Sequence, residues 1–495
     1  MDIPSRTRHK GYISIIIAIS LAIFMASLDG TIVNIALPTI SEAFSLSSAS
    51  VSWVATIYLL VMAGCVLIFG KISDLIGYKK IFLSGFIIFT LGSFTCGSLP
   101  DLTGSFLTLI GSRAFQGIGG AMITSIAPAM VTAFIPTDMR GKAMGIIMTM
   151  AGLGTAIGPT IGGFLTQYLS WHWIFYINIP VGIIAIILAS QVIPVQKTCG
   201  GLEKFDKTGA ALICLGLAFL LFGFSEGITL GWTSPIILSS IGIAGILLLM
   251  FVRHELRIQN PILEIRLFHE KTFLLLNIIP VLVFFSFSGM SYLLPFYLRY
   301  VSGYSTSQAG LILTALSVAM MMAGIVAGML FNRIGGRILS IIAAAVLTGG
   351  YYLITHLRVD TPIVFITISL LCIGSGLGLI ISPIFNMIMT SAPKKYQGML
   401  SSLTSLERFA PMTIGIALYN IIFVQGMMAI ATHYDVTQNA PKNIQLKVLT
   451  AGFDLTFFIS FIIGILILVC TIIARYRIHP DYLDSEIEET STALL

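Results

Sequence analysis

Asp29 lies in the stretch SLDGTIVNIALPTI, residues 27–40, which follows an apolar run beginning at Gly11. A carboxyl group donates when protonated and accepts when ionised, so it is suited to binding and releasing a proton. A charge at the centre of a membrane-spanning helix costs about 2.5–3.5 kcal/mol on insertion scales. Something must offset that cost. Two arginines, Arg113 and Arg408, fall inside apolar runs, and Arg113 is the candidate counter-charge. Such a pair can exchange a proton between conformations, or it can be a static ion pair that only fixes helix packing. Glu407 precedes Arg408 in TSLERFAPM. Neighbouring residues on a helix do not face each other, so these two need not pair. Glu407 is a second candidate for proton or cation binding, the alternative being an ion pair to an adjacent helix.

The surroundings of these charges are those of a membrane. Of 495 residues, 56% are hydrophobic and 10% charged, against about 25% charged in soluble domains. The mean hydropathy is +0.97. A span needs roughly 20 mostly apolar residues. Fourteen such stretches are read at about 11–36, 51–70, 81–99, 105–133, 143–168, 172–193, 209–228, 235–252, 272–298, 307–331, 338–357, 361–390, 399–425 and 453–475. The first is read as a retained span, with Pro38 closing it. With the N-terminus inside, 21 of the 27 Lys and Arg residues fall in cytoplasmic segments, as the positive-inside rule requires. The expectation is an all-α polytopic membrane protein with both termini cytoplasmic. Loop charges that orient the chain account for the net charge of +6, so no nucleic-acid partner is expected.

Other chemistries find no support. Cys65, Cys96, Cys214, Cys372 and Cys470 lie in apolar runs and Cys199 in a loop, with no CxxC spacing. No disulfide framework, metal or cofactor is expected. There is no G-x-x-x-x-G-K-S/T phosphate loop and no soluble stretch long enough for a catalytic domain, so ATP-driven transport and enzymatic activity are not expected. Glu226 and Asp454 lie near outer span ends and read as solvated. The tail DYLDSEIEETSTALL is acidic and reads as disordered.

Two loops repeat. GKISDLIGYKK at 70–80 and GMLFNRIGGR at 328–337 align at a shift of 258, sharing G-x-x-x-D/N-x-x-G-x-K/R. Both follow an even-numbered span. A duplicated six-span unit with two spans inserted between the copies places them so, as parallel repeats. The domains expected are 1–193, a six-helix bundle; 194–271, two inserted transmembrane helices; 272–475, a second six-helix bundle; and 476–495, the tail. In the fourth span Arg113, Gln116, Gly117, Gly120 and Thr124 form a polar and small stripe that should face protein or water. In the fifth, Gly154, Gly158 and Gly162 recur every four residues and allow close helix approach, while Pro159 bends the helix. Thr31 and Asn34 share a face away from Asp29 and suit hydrogen bonds to a neighbouring helix. Residues 283–297 carry aromatics and Met that either line an apolar pocket or face lipid, and Asn277, Pro280 and Pro295 suggest a kinked ninth span.

These segments resemble the major facilitator superfamily, in its fourteen-span drug:proton antiporter branch. SLDGTIVNIALPTI is similar to the branch's first-span motif L-D-x-T-I/V-V-N-V/I-A-L-P. GKISDLIGYKK resembles the loop motif G-x-L-A-D-R-x-G-R-K/R, with Leu75 and Tyr78 replacing two arginines. LIGSRAFQGIGGA at 109–121 resembles the fourth-span motif. AGLGTAIGPTIGG at 151–163 resembles the antiporter motif, and WHWIFYINIP at 171–180 the W-R-W-x-F-x-I-N-x-P motif, with His172 for arginine.

The resemblance implies the major facilitator fold in the cell membrane and proton-driven export of amphipathic or cationic small molecules by alternating access. The alternative is export of one endogenous metabolite, lipid or amino acid. A monomer is expected. The resemblance places the first and fourth spans, and so Asp29 and Arg113, on the central cavity. Gly70, Asp74, Gly77, Lys79 and Lys80 are read as a cytoplasmic gate loop, in which Asp74 can accept from a helix N-terminus or from a basic residue of a neighbouring loop such as Arg140. The resemblance assigns the fifth span, whose antiporter motif carries Gly154, Gly158, Pro159, Gly162 and Gly163, to the interface between halves, and the branch often has an arginine matching Arg408.

Overall fold

A computed structural model describes residues 5–195, 206–258, 261–393, 396–433 and 441–475. The acidic tail and the side chains of Asp74 and Arg140 lie outside the described residues. Fourteen long helices follow one another: α1 Ser5–Ala43, α2 Trp53–Ile76, α3 Tyr78–Thr103, α4 Phe106–Phe134, α5 Thr137–Tyr168, α6 Asn178–Val192, α7 Lys207–Leu230, α8 Pro235–Glu255, α9 Lys271–Phe296, α10 Thr306–Ile334, α11 Gly336–Ile354, α12 Ile363–Thr390, α13 Gln397–His433 and α14 Lys442–Ile473. Thirteen helices are long and apolar enough to cross a membrane among the described residues. The remaining one, α5, has 32 residues and lies between α1 and α10.

Helix packing displays the duplication. The pairs α1·α5, α2·α4, α3·α4 and α3·α6 recur as α9·α13, α10·α12, α11·α12 and α11·α14. Across the seam the pairing exchanges: α5 packs on α10 and α2 on α13. The inserted pair α7–α8 packs on itself, and α7 docks on α2 and α13. The repeated loops are equally alike. Gly77 and Gly335, 258 residues apart, turn α2 into α3 and α10 into α11 at φ 94° and 80° with extended ψ. A side chain there would clash with its own backbone, so the position requires glycine.

The helix ends correct several expectations. Pro38 does not close the first span, because α1 continues through it to Ala43. Helix α14 starts at Lys442, well before residue 453, because its first turns carry Lys442, Gln445 and Lys447, which hydropathy reads as loop. Glu226 and Asp454 are paired rather than merely solvated: Trp53 Nε1 donates to Glu226 at 2.7 Å, and Arg358 meets Asp454 at 2.7 Å. The ninth span keeps Pro280 and Pro295 inside α9 and ends in a π turn, Tyr297–Val301.

Candidate functional site

Asp29 is 0% and Arg113 1% exposed, and Arg113 Nη1 reaches Asp29 Oδ2 at 2.8 Å. The other oxygen, Oδ1, accepts from Gln116 Nε2 at 3.0 Å and from Asn178 Nδ2 at 2.9 Å. Arg113 is held in turn. Its Nε donates to the Val54 carbonyl at 3.0 Å, and Nη1 to Gln116 Oε1 at 2.5 Å. Its guanidinium lies 4.3 Å from the Tyr58 ring centroid and 5.5 Å from that of Phe175. Gln116 Nε2 also donates to Ser93 Oγ at 2.8 Å. Five helices, α1, α2, α3, α4 and α6, thus converge on one carboxylate. A buried charge is tolerable when it is paired and its remaining lone pairs are satisfied.

The pairing of Asp29 with Arg113 is therefore present, but its expected place on the central cavity is not. The pair lies inside the N-terminal bundle, and the cost of burial is offset by Arg113, Gln116 and Asn178 rather than by cavity water. Thr31 and Asn34 take the cavity side of α1 instead. A narrow cavity of about 30 Å³ lies between α1, α5, α9 and α10, with Thr31, Asn34, Phe287, Met290, Ser291 and Ser317 on its wall. No charged side chain lines it. Asn34 Nδ2 donates to Ser291 Oγ at 3.3 Å, joining α1 to α9.

The second pair of charges stands apart. Glu407 is 5% exposed, and its Oε2 has no hydrogen-bond partner among the described residues. Arg408 Nε is likewise unpartnered. Its guanidinium stacks near Phe284 at 5.9 Å and Phe409 at 5.6 Å. Glu407 and Arg408 form no ion pair with each other among the described residues. Tyr58 and Arg408 come from the two helices that meet at the α2–α13 seam. Tyr58 has Arg113 against its ring, and its buried hydroxyl has no partner among the described residues.

The glycines of α5 divide their work. Gly154, Gly158 and Gly162 face α1, where an added Cβ would strike the Phe24 carbonyl, Thr31 and Ile32. The glycine track thus serves packing within the first half, while the span itself lies at the interface between halves as expected. Only the other edge of α5 makes that interface. Gly163 meets Thr306 and Gly310 on α10, Gly310 meets the Pro159 carbonyl, and the Thr160 and Thr314 hydroxyls lie 2.5 Å apart. The structure places Gly70 inside α2 rather than in the loop after it, and a Cβ there would stand 2.8 Å from Ser402 Oγ on α13. Lys79 Nζ donates to the Ser190 carbonyl at 2.7 Å, so it caps the end of α6, and Lys80 is exposed.

A latch that sequence reasoning missed joins the halves at the opposite end of the bundle. Arg299 donates to Glu42 at 2.6 Å and to Thr39 at 2.7 Å, and Tyr300 donates to Glu42 at 3.1 Å. Tyr292 donates to the Ser48 carbonyl, and Ser48 Oγ to Asn420 at 3.2 Å. An exposed ion pair contributes about 0–1 kcal/mol, so the expected effect of Arg299→Ala is an increase of up to about fivefold in opening at this end. Labelling of an Asn34→Cys variant by a membrane-impermeant thiol reagent measures it. The charge swap Glu42→Arg with Arg299→Glu should restore the original rate, and unchanged labelling in Arg299→Ala would show that this contact does not hold the end shut.

Comparisons with known proteins agree with this architecture. The family model described as the Major Facilitator Superfamily matches residues 19–416. The riboflavin transporter RibZ of Clostridioides difficile (strain 630) is 31% identical, over 90% of this chain and 96% of that protein. The multidrug transporter protein MdtP of Bacillus subtilis (strain 168) is 33% identical, over 82% of this chain and 74% of that protein. The multidrug resistance protein Stp of Mycobacterium tuberculosis (strain CDC 1551 / Oshkosh) is 32% identical, over 84% and 76%. Among solved structures, a D-xylose–proton symporter superposes with a TM-score of 0.63 at 13% identity, covering 91% of this chain and 97% of that one. A bacterial homologue of the lysosomal transporter Spinster gives 0.64 at 15% identity, covering 96% and 97%. These two share the fold. With its duplicated helix packing, apolar spans and family match in agreement, the chain belongs to the Major Facilitator Superfamily and is a multi-pass membrane transporter, not an enzyme.

Proposed function

We propose that this protein exports amphipathic or cationic small molecules across the cell membrane in exchange for protons, by alternating access. The observation that carries the reading is Asp29, a carboxyl buried in the first span and held by Arg113 and Gln116 of α4 and Asn178 of α6. Protonation would turn one of its acceptor oxygens into a donor and break the match with Arg113. Tyr58 would pass that change to Arg408 across the seam, where Glu407 offers a buried carboxyl to a cationic solute. The relatives named for multidrug resistance support the substrate class. The domain limits near 193 and 271, cytoplasmic termini and a monomeric state complete the proposal. The loop around Gly70, Gly77 and Lys79 would close the cytoplasmic side.

A second reading is export of one metabolite. It is favoured by the riboflavin transporter relative, which this chain matches over 96% of its length, and by the uncharged wall of the cavity. Thr31, Asn34, Ser291 and Ser317 would offer hydrogen bonds to a neutral solute beside Phe287 and Met290 once the halves part and widen this narrow cavity. Proteoliposomes with an imposed pH gradient separate the two. Gradient-dependent transport of several unrelated lipophilic cations, with proton counterflow, is expected. Transport of riboflavin or another single metabolite with no cationic dye moved would establish the second reading, and transport indifferent to collapse of the gradient would overturn proton coupling.

A further inference from the structure

The inserted helices carry a carboxyl pair that transport as proposed does not use. Asp206 is the N-cap of α7 and Glu255 the last residue of α8; they are 8% and 3% exposed. One oxygen of each is satisfied. Asp206 Oδ1 accepts from the Gly209 amide at 2.9 Å and lies 2.9 Å from His254 Nε2, and Glu255 Oε2 accepts from the Leu263 amide at 3.0 Å. The remaining oxygens, Asp206 Oδ2 and Glu255 Oε1, have no partner. They converge over Gly209, where an added Cβ would strike both, so the two carboxyls stand side by side. Two carboxylate oxygens are both acceptors, so this contact holds no donor unless one group carries a proton. Like charges at such range in a buried site cannot both persist.

We propose that Asp206 and Glu255 together bind one proton, and that this proton fastens the α7–α8 pair to the seam where α2 meets α13. Around the pair, Ala210 of α7 and Ile262 of the α8–α9 linker pack with Val66 and Leu67 of α2 and with Leu406 of α13, next to Glu407. One residue beyond the Leu263 amide, the Glu264 amide reaches Met399 Sδ on α13 at 3.0 Å. The linker is thus bonded to Glu255 at one residue and to α13 at the next. At this end the charged and titratable groups of the surrounding elements, among the described residues, are Lys207 on α7, Arg253 and His254 on α8, Arg257, Glu264, Arg266, His269 and Glu270 in the linker, Lys71 on α2, and Glu407 and Arg408 on α13. Among the described residues only His254 reaches a carboxyl oxygen of the pair. When the shared proton leaves, two facing carboxylates repel, Glu255 swings from Leu263, and the linker loosens from α13.

Infrared difference spectra of the full-length protein in nanodiscs test the site. A protonated-carboxyl carbonyl band, shifted in D₂O and lost as pH rises, is expected in the unsubstituted protein and in Asp29→Asn and Glu407→Gln. It should be absent from Glu255→Gln and displaced in Asp206→Asn. Hydrogen exchange of the 262–264 amides, corrected for intrinsic rate, tests the fastening. Exchange should quicken by about tenfold or more as the band titrates away, and stay slow at all pH values in Glu255→Gln, whose amide is a permanent donor. A band indifferent to both Glu255→Gln and Asp206→Asn would overturn the proton site. A band that titrates while exchange does not change would overturn the fastening.

Discussion

Asp29→Asn is expected to abolish substrate-dependent proton flux in proteoliposomes and to destabilise the protein at the same time. Asparagine keeps the shape of the side chain, but it cannot be ionised and turns one acceptor into a donor. Arg113, 1% exposed, would then carry a buried charge with no anion beside it. Removing one partner of a buried ion pair typically costs about 3–5 kcal/mol. A thermal shift alone would therefore not distinguish a coupling residue from a packing residue. The double variant Asp29→Asn with Arg113→Gln removes both charges and should recover much of the stability, because the Gln116 and Asn178 amides can rearrange their hydrogen bonds around neutral groups. If Asp29 is the coupled proton site, the double variant folds and still moves no protons. Substrate-driven proton flux surviving in either variant would reduce Asp29 to a packing role.

Glu407→Gln should have the other large effect, and a selective one. Glu407 is buried, its Oε2 lacks a donor, and Arg408 beside it is engaged with aromatic rings rather than with the carboxylate. An unpaired buried acid near the seam is poised to meet a cation supplied from outside the protein. A hydrogen bond to a charged group contributes about 1.5–3 kcal/mol, so transport of lipophilic cations should fall roughly tenfold to hundredfold in apparent affinity. Neutral substrates should be carried as before, and stability should hold or rise, since no partner charge is orphaned. Equal loss for neutral and cationic substrates would show that Glu407 serves the helix packing and not recognition.

Particular residues show how far one dimension reaches. The fourteen helices, the repeat at a shift of 258 and the meeting of Asp29 with Arg113 were all legible in the chain. Apolar length and charge placement follow from lipid, which admits no unpaired backbone group and few charges. Two lone opposite charges in the N-terminal half's spans have few other partners to find. Asn178 was visible only as a letter of the W-x-W motif, and Gln116 only as one position on a polar stripe. Their joint hold on Asp29 requires α1, α4 and α6 to be in register. Tyr58 gave no signal, because an aromatic in an apolar run looks the same whether it faces lipid or a buried arginine.

Hydropathy, glycine spacing and the lysine–arginine bias thus decide how many helices there are, where most of them begin and which loops are duplicated, since each is a local balance between a segment and its solvent. The partners across helices are decided by packing alone. Asp29 is turned from the cavity while Thr31 and Asn34 line it, because α5 presses its glycines against that side of α1. Arg299 meets Glu42, and Asp206 meets Glu255, from positions 257 and 49 residues apart. Distances of a few ångströms between such positions are set by how rigid helices settle against one another, a property that no single segment carries.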